Sequence, residues 1–98
     1  MKPNLFIVGQ PKSGTTALHQ FLGQHPEIFM SSIKEPHFFC SDFHLESDRA
    51  YGKQRFFDFR SESAYLQLFA KADQAKIAGE SSTNDLYSQV AAEKIHNF

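Results

Sequence analysis

Two glycines, a lysine, a serine and two threonines crowd into Gly9-Gln10-Pro11-Lys12-Ser13-Gly14-Thr15-Thr16, directly after the apolar run Leu5-Phe6-Ile7-Val8. Glycine lets a backbone turn tightly and approach an anion with no Cβ in the way. Thr15 and Thr16 fall where a helix would open, so their amides lack intrahelical partners and their hydroxyls add donors. Lys12 supplies charge. Loop amides and the positive end of the following helix then converge on one anion, which makes the stretch a phosphate cradle. A second group able to do chemistry is the carboxylate of Glu35, in Lys34-Glu35-Pro36-His37. Taken alone it reads as a surface carboxylate paired with Lys34, and His37, whose imidazole suits neutral pH, is the rival proton acceptor.

The spacing Gly-x-x-x-x-Gly resembles a nucleotide-binding P-loop, with one departure. That pattern has lysine directly after the second glycine, and here Thr15 stands there while the lysine sits inside the loop at Lys12. The cation therefore approaches a phosphate chain from another side. No aspartate closes an apolar strand to hold magnesium, and Ile77-Ala78-Gly79-Glu80 is a poor substitute for one.

The elements that must position these groups follow from periodicity. Residues 5–9 read as a short buried strand, and Gly14 to about Gln24 as a helix with Ala17, Leu18, Phe21 and Leu22 on its inward face. Ile28-Phe29-Met30 is a second strand, and strand–helix–strand is the βαβ unit of a parallel sheet. Residues 41–60 read as a polar, mobile loop pinned to the core by Phe56, Phe57 and Phe59. Their alternation with Arg55, Asp58 and Arg60 could also contact a sugar or nucleic acid. A helix is expected from Ser61 to about Lys71 and a strand at Lys76–Glu80. Ser81–Asp85 would then cap a last helix with Leu86, Val90, Ala91 and Ile95 facing inward.

Ninety-eight residues with a hydrophobic share of 41% should fold, and a formal net charge of −1 argues against a general nucleic-acid or anionic-membrane binder. The lone Cys40, set among Phe38, Phe39 and Phe43, reads as a buried inert thiol in a reducing compartment. The apolar run at the start is too short for a signal peptide or a membrane span, so the expected location is cytoplasmic. His19, His25, His44 and His96 show no metal-ligand spacing.

Pro11-Lys12-Ser13-Gly14-Thr15-Thr16-Ala17-Leu18 resembles the 5′-phosphosulfate loop of the PAPS-dependent sulfotransferases. The resemblance continues through Leu22-Gly23-Gln24-His25-Pro26, Lys34-Glu35-Pro36-His37-Phe38-Phe39 and Glu80-Ser81-Ser82-Thr83, closest to the branch of heparan-sulfate sulfotransferases and bacterial relatives. It implies that Lys12 offsets charge on the leaving phosphate, and that Pro11, Ser13, Gly14, Thr15 and Thr16 hold the donor with it. It also implies that Glu35 is the general base on an acceptor hydroxyl or amine, with Glu80 orienting the site. The resemblance departs at Ser81, where heparan-type relatives often carry lysine. It departs again in the family's arginine and serine for the 3′-phosphate, which are not within these 98 residues.

The expectation is an α/β chain, a three-layer P-loop-type parallel sheet with flanking helices, residues 1–98 forming the N-terminal part of one sulfotransferase domain. It would move a sulfuryl group from PAPS to a small-molecule or carbohydrate acceptor without a metal, and would be weakly active or inactive alone. A P-loop kinase or NTPase, and a non-catalytic module that keeps the cradle as a structural turn, are the alternatives.

Overall fold

The computed structural model describes residues 1–10, 13–72 and 74–98. Three short parallel strands form its sheet: β1 (Leu5–Ile7), β2 (Ile28–Met30) and β3 (Ile77–Ser81), in the order β1-β3-β2. The helix α1 (Thr15–Gly23) joins β1 to β2. Those two strands do not pair. β3 enters between them, so the unit expected as a simple βαβ is split by a strand that arrives much later in the chain.

Gly79 explains how the insertion is possible. It stands opposite Leu5 on one side and Met30 on the other. A Cβ at this position would come within 2.8 Å of Met30 Sδ and 3.1 Å of Leu5 Cδ2. The neighbours' side chains lean over the central strand, and only glycine leaves them room.

The core beside the sheet is aromatic, as eleven phenylalanines require. Phe39, Tyr65 and Phe69 are fully buried. Phe38 stacks on Tyr65 at 4.4 Å, and Phe6 meets Phe39 edge-on at 5.6 Å. Such offset and edge-to-face arrangements add to burial by pairing ring edges with ring faces. Tyr65 comes from α3 (Glu62–Gln67), which Ser61 caps by accepting a hydrogen bond from the Ala64 amide at 3.1 Å. Turns rather than helix carry the chain on to residue 71.

Three readings of the sequence are corrected here. Residues 41–60 are not a loop throughout, since Ser41–Tyr51 form the helix α2. Its one buried residue is His44, so no apolar stripe announces it. The inward face of α1 is Thr15 and His19, whereas Leu18 and Phe21 are 45% and 72% exposed. The last helix is two pieces: a 3₁₀ turn at Thr83–Tyr87 and then α4 (Ala91–Asn97). Ala91 faces inward as expected, while Leu86 is exposed and Asp85 is buried in its place.

Candidate active site at the sheet edge

Because the strands are parallel, the segments that leave their C-terminal ends gather at one edge of the sheet. The cradle follows β1, the Lys34–His37 segment follows β2, and Ser82–Asp85 follow β3. This edge is where open α/β sheets take their ligands.

In the cradle, Gly14 caps α1 with φ of +82°, a left-handed conformation that an L side chain resists. Open space surrounds the place of its missing Cβ. The cap therefore puts no side chain across the first-turn amides of Thr15 and Thr16. Pro11 and Lys12 lie outside the described residues. Ser13 and Thr16 are exposed, and Thr15 is buried. Lys34 does not pair with Glu35; its ammonium group donates instead to Thr16 Oγ1.

Glu35 is held from three directions. Its backbone amide donates to Ser81 O at 2.8 Å. Its carboxylate accepts from the Thr83 amide at 3.1 Å and from Thr83 Oγ1 at 3.0 Å. His37 Nε2 lies 2.7 Å from Glu35 Oε2. Glu35 and His37 both have left-handed backbones, with φ of 61° and 51°. Such strain at non-glycine residues persists only where the surroundings over-determine it. Here the end of β3 does so, through Ser81 O and through Ser82 Oγ, which accepts from the His37 amide at 3.0 Å. Burial lowers the pKa of His37, and the neighbouring Glu35 only partly offsets this. The imidazole is therefore neutral near pH 7.

Beneath this pair lie two further acids. Glu80 is fully buried, and its Oε2 accepts from the Tyr65 hydroxyl at 3.0 Å. Burial first, then repulsion from Asp85, raises its pKa to about 7. Asp85 is 4% exposed, and neither oxygen receives an N–H or O–H donor among the described residues. Burial and the charge of Glu35 raise it to about 6, against the Cys40 thiol beside it. Cys40 is itself fully buried and its thiol pKa pushed far up, first by burial and then by Asp85, as an inert thiol should be.

Thr83 falls within the Glu80–Thr83 string of the resemblance without a role assigned to it, and Asp85 reads from the sequence only as part of a helix cap. His19 and His44 are structural. His19 joins Ser81 Oγ (2.7 Å) to Ser31 O (2.9 Å), and His44 Nε2 bonds the His37 carbonyl at 2.6 Å. Ser81, where heparan-type relatives often have lysine, is thus a buried member of the β3–α1 contact. Among the described residues no group of three or more His, Cys, Asp or Glu is placed to hold a metal ion. No described helix is long and apolar enough to cross a membrane.

Known proteins resemble this chain in fold and in sequence. A sulfotransferase from Alicyclobacillus acidocaldarius superposes with a TM-score of 0.84 and 32% identity, over 99% of this chain and 40% of that one. Carbohydrate sulfotransferase 15 of Homo sapiens and of Mus musculus is 57% identical over 35 residues, 36% of this chain and 6% of theirs. The chain thus spans well under half the length of the relatives it matches. Residues 3–97 match the profile of the sulfotransferase family, and with the split parallel sheet and the glycine-capped cradle in place, the chain belongs to that family.

Proposed function

We propose that residues 1–98 form the first part of a single sulfotransferase domain whose sulfuryl donor is PAPS. Lys12, Ser13, Gly14, Thr15 and Thr16, entered through Pro11, would hold its 5′ end, and Glu35 would serve as general base. The observation that carries this reading is the clamp on Glu35. A carboxylate fixed by Thr83 and His37, on strained backbone, at the same sheet edge as a glycine-capped cradle, suits a base that must meet a substrate in one orientation.

In that reaction Glu35 takes the proton of an acceptor hydroxyl or amine as its lone pair forms the new bond to sulfur. The bond from sulfur to the 5′-phosphate oxygen breaks, and its electron pair leaves with the phosphate. Lys12 and the Thr15 and Thr16 amides offset the charge that collects there. Positioning and electrostatics supply the catalysis, and no metal enters. Small-molecule or carbohydrate acceptors fit the reading, the latter supported by the name of carbohydrate sulfotransferase 15. A reducing, cytoplasmic setting suits the buried Cys40 thiol. With no 3′-phosphate grip in these residues, we expect weak donor binding and little turnover from this chain alone.

Calorimetric titration with PAP, and separately with ATP plus magnesium, tests the donor. PAP should bind more tightly, and Lys12→Ala should weaken it about tenfold or more. Glu35→Gln should leave PAP binding unchanged and reduce any sulfation roughly 10²–10⁴-fold. Tighter, magnesium-dependent ATP binding would establish a P-loop NTPase instead.

A further inference from the structure

A cleft of about 410 Å³ opens beside Glu35, within the range of small-molecule sites. Its lining includes Glu35, His37, Phe56, Phe57, Asp58 and Asn84. We propose that this cleft is the acceptor subsite, and that it selects an uncharged, hydroxyl-bearing ring compound over an anionic one. The proposal rests on the sulfotransfer reading above and adds to it the class of acceptor.

The first argument is charge. Among the described residues, the formal charges lining the cleft are the carboxylates of Glu35 and Asp58. Two arginines flank the aromatic stretch, and each is held by neighbouring side chains. Arg60 forms a forked pair with Asp48, at 2.6 and 2.8 Å. Arg55 lies over the rings of Tyr51 and Phe56, 4.9 and 5.4 Å from their centroids. Among the described residues, an acceptor bearing a carboxylate or sulfate would meet two like charges on this wall, a juxtaposition that costs affinity.

The second argument is shape and rigidity. Phe57 has a left-handed backbone with φ of 65°, strained for a bulky residue. Arg60 holds it there, donating through Nε to Phe57 O at 2.7 Å and through a terminal nitrogen to Phe56 O at 2.8 Å. The Phe57 ring packs on His37 and His44 at 5.8 and 5.0 Å. Phe56 is 47% exposed, so it offers an apolar face to an occupant. A fixed aromatic wall facing a carboxylate and an amide suits a ring with one apolar face and hydroxyls at its edge, as in a neutral glycoside or a phenol.

The test titrates the ¹⁵N-labelled chain with 4-nitrophenyl β-D-glucoside and with 4-nitrophenyl β-D-glucuronide, which differ by one carboxylate. The glucoside should move the amides of Glu35, His37 and Asn84, and the glucuronide should bind at least tenfold more weakly. The exposed substitution Asp58→Asn should narrow that gap several-fold, and Phe56→Ala should weaken both ligands. Equal or tighter glucuronide binding overturns the proposal, as does an unchanged gap in Asp58→Asn or the absence of glucoside shifts at the cleft. A parallel PAP titration, read at Gly14–Thr16, separates the two claims. Failure there removes the sulfotransfer reading, whereas PAP binding with a glucuronide preference removes only the acceptor class.

Discussion

Thr83 shows how one residue can fix the geometry of the carboxylate we propose as general base. Its amide and hydroxyl both donate to Glu35, 48 positions earlier in the chain. The isosteric change Thr83→Val keeps the amide bond and removes the hydroxyl, leaving one carboxylate oxygen less well satisfied in a half-buried place. A loss of about 1 kcal/mol is expected in urea unfolding, together with a fall in any sulfation and unchanged PAP affinity. An equally stable variant would show that the hydroxyl contact contributes little. The cradle and Glu35 were legible in the chain because their chemistry is written in local strings, Gly9–Thr16 and Lys34–His37. The roles of Thr83 and Asp85 and the partners of His37 were not, because they exist only once β3 has slipped between β1 and β2. Lys34 is the instructive case: it adjoins Glu35 in sequence, yet its ammonium group reaches Thr16 at the cradle.

Periodicity located most elements, and it failed where polar side chains carry the packing. The strand at Ile28–Met30 is as expected, and α1 keeps its bounds to within a residue. The buried face of α1 is nevertheless read wrongly from hydrophobicity, because His19 is a satisfied buried polar group bonded to Ser81 and Ser31. The helix α2 was missed for a related reason. Phe43 packs on the core, but the other ties are largely polar: Asp42 accepts from Ser88 Oγ at 2.6 Å and from the Gln89 amide at 3.0 Å, and Asp48 holds Arg60. The last of these ties also fixes the Phe56–Phe57 wall, so residues 52–60 are irregular but held. Arg60→Lys keeps the charge and loses the fork. Amide hydrogen exchange at residues 54–60 should speed up about tenfold, while global stability falls by less than about 1 kcal/mol, as for exposed ion pairs. Unaltered exchange would mean that packing of Phe57 on His37 and His44 alone secures the wall.

Across the whole molecule, the acids beneath the site couple folding to pH. The pKa of Glu80 rises from 4.5 to about 7 and that of Asp85 from 3.8 to about 6, both chiefly through burial. Raised carboxyl pKa values mean that the folded chain binds more protons than the unfolded one between roughly pH 4 and 7. Stability from these groups is therefore fully present below the unfolded pKa values and declines as pH rises through the folded ones, by up to about 1.4 kcal/mol per pH unit for each acid. Most small domains instead gain stability on leaving acid, because their carboxylates are paired in the native state. This chain buries two acids that lack a cation among the described residues, whereas His37 and His44, whose pKa values burial lowers, act in the opposite sense. Glu80→Gln separates that cause from others, since the amide oxygen still accepts from Tyr65 while the titration disappears. The urea midpoint of the variant relative to the parent should rise between pH 4.5 and 8, with the variant the more stable of the two at pH 8. A difference between variant and parent that does not change with pH would mean that the Glu80 carboxyl is solvated or paired in solution and that the site above it is more open than its geometry implies.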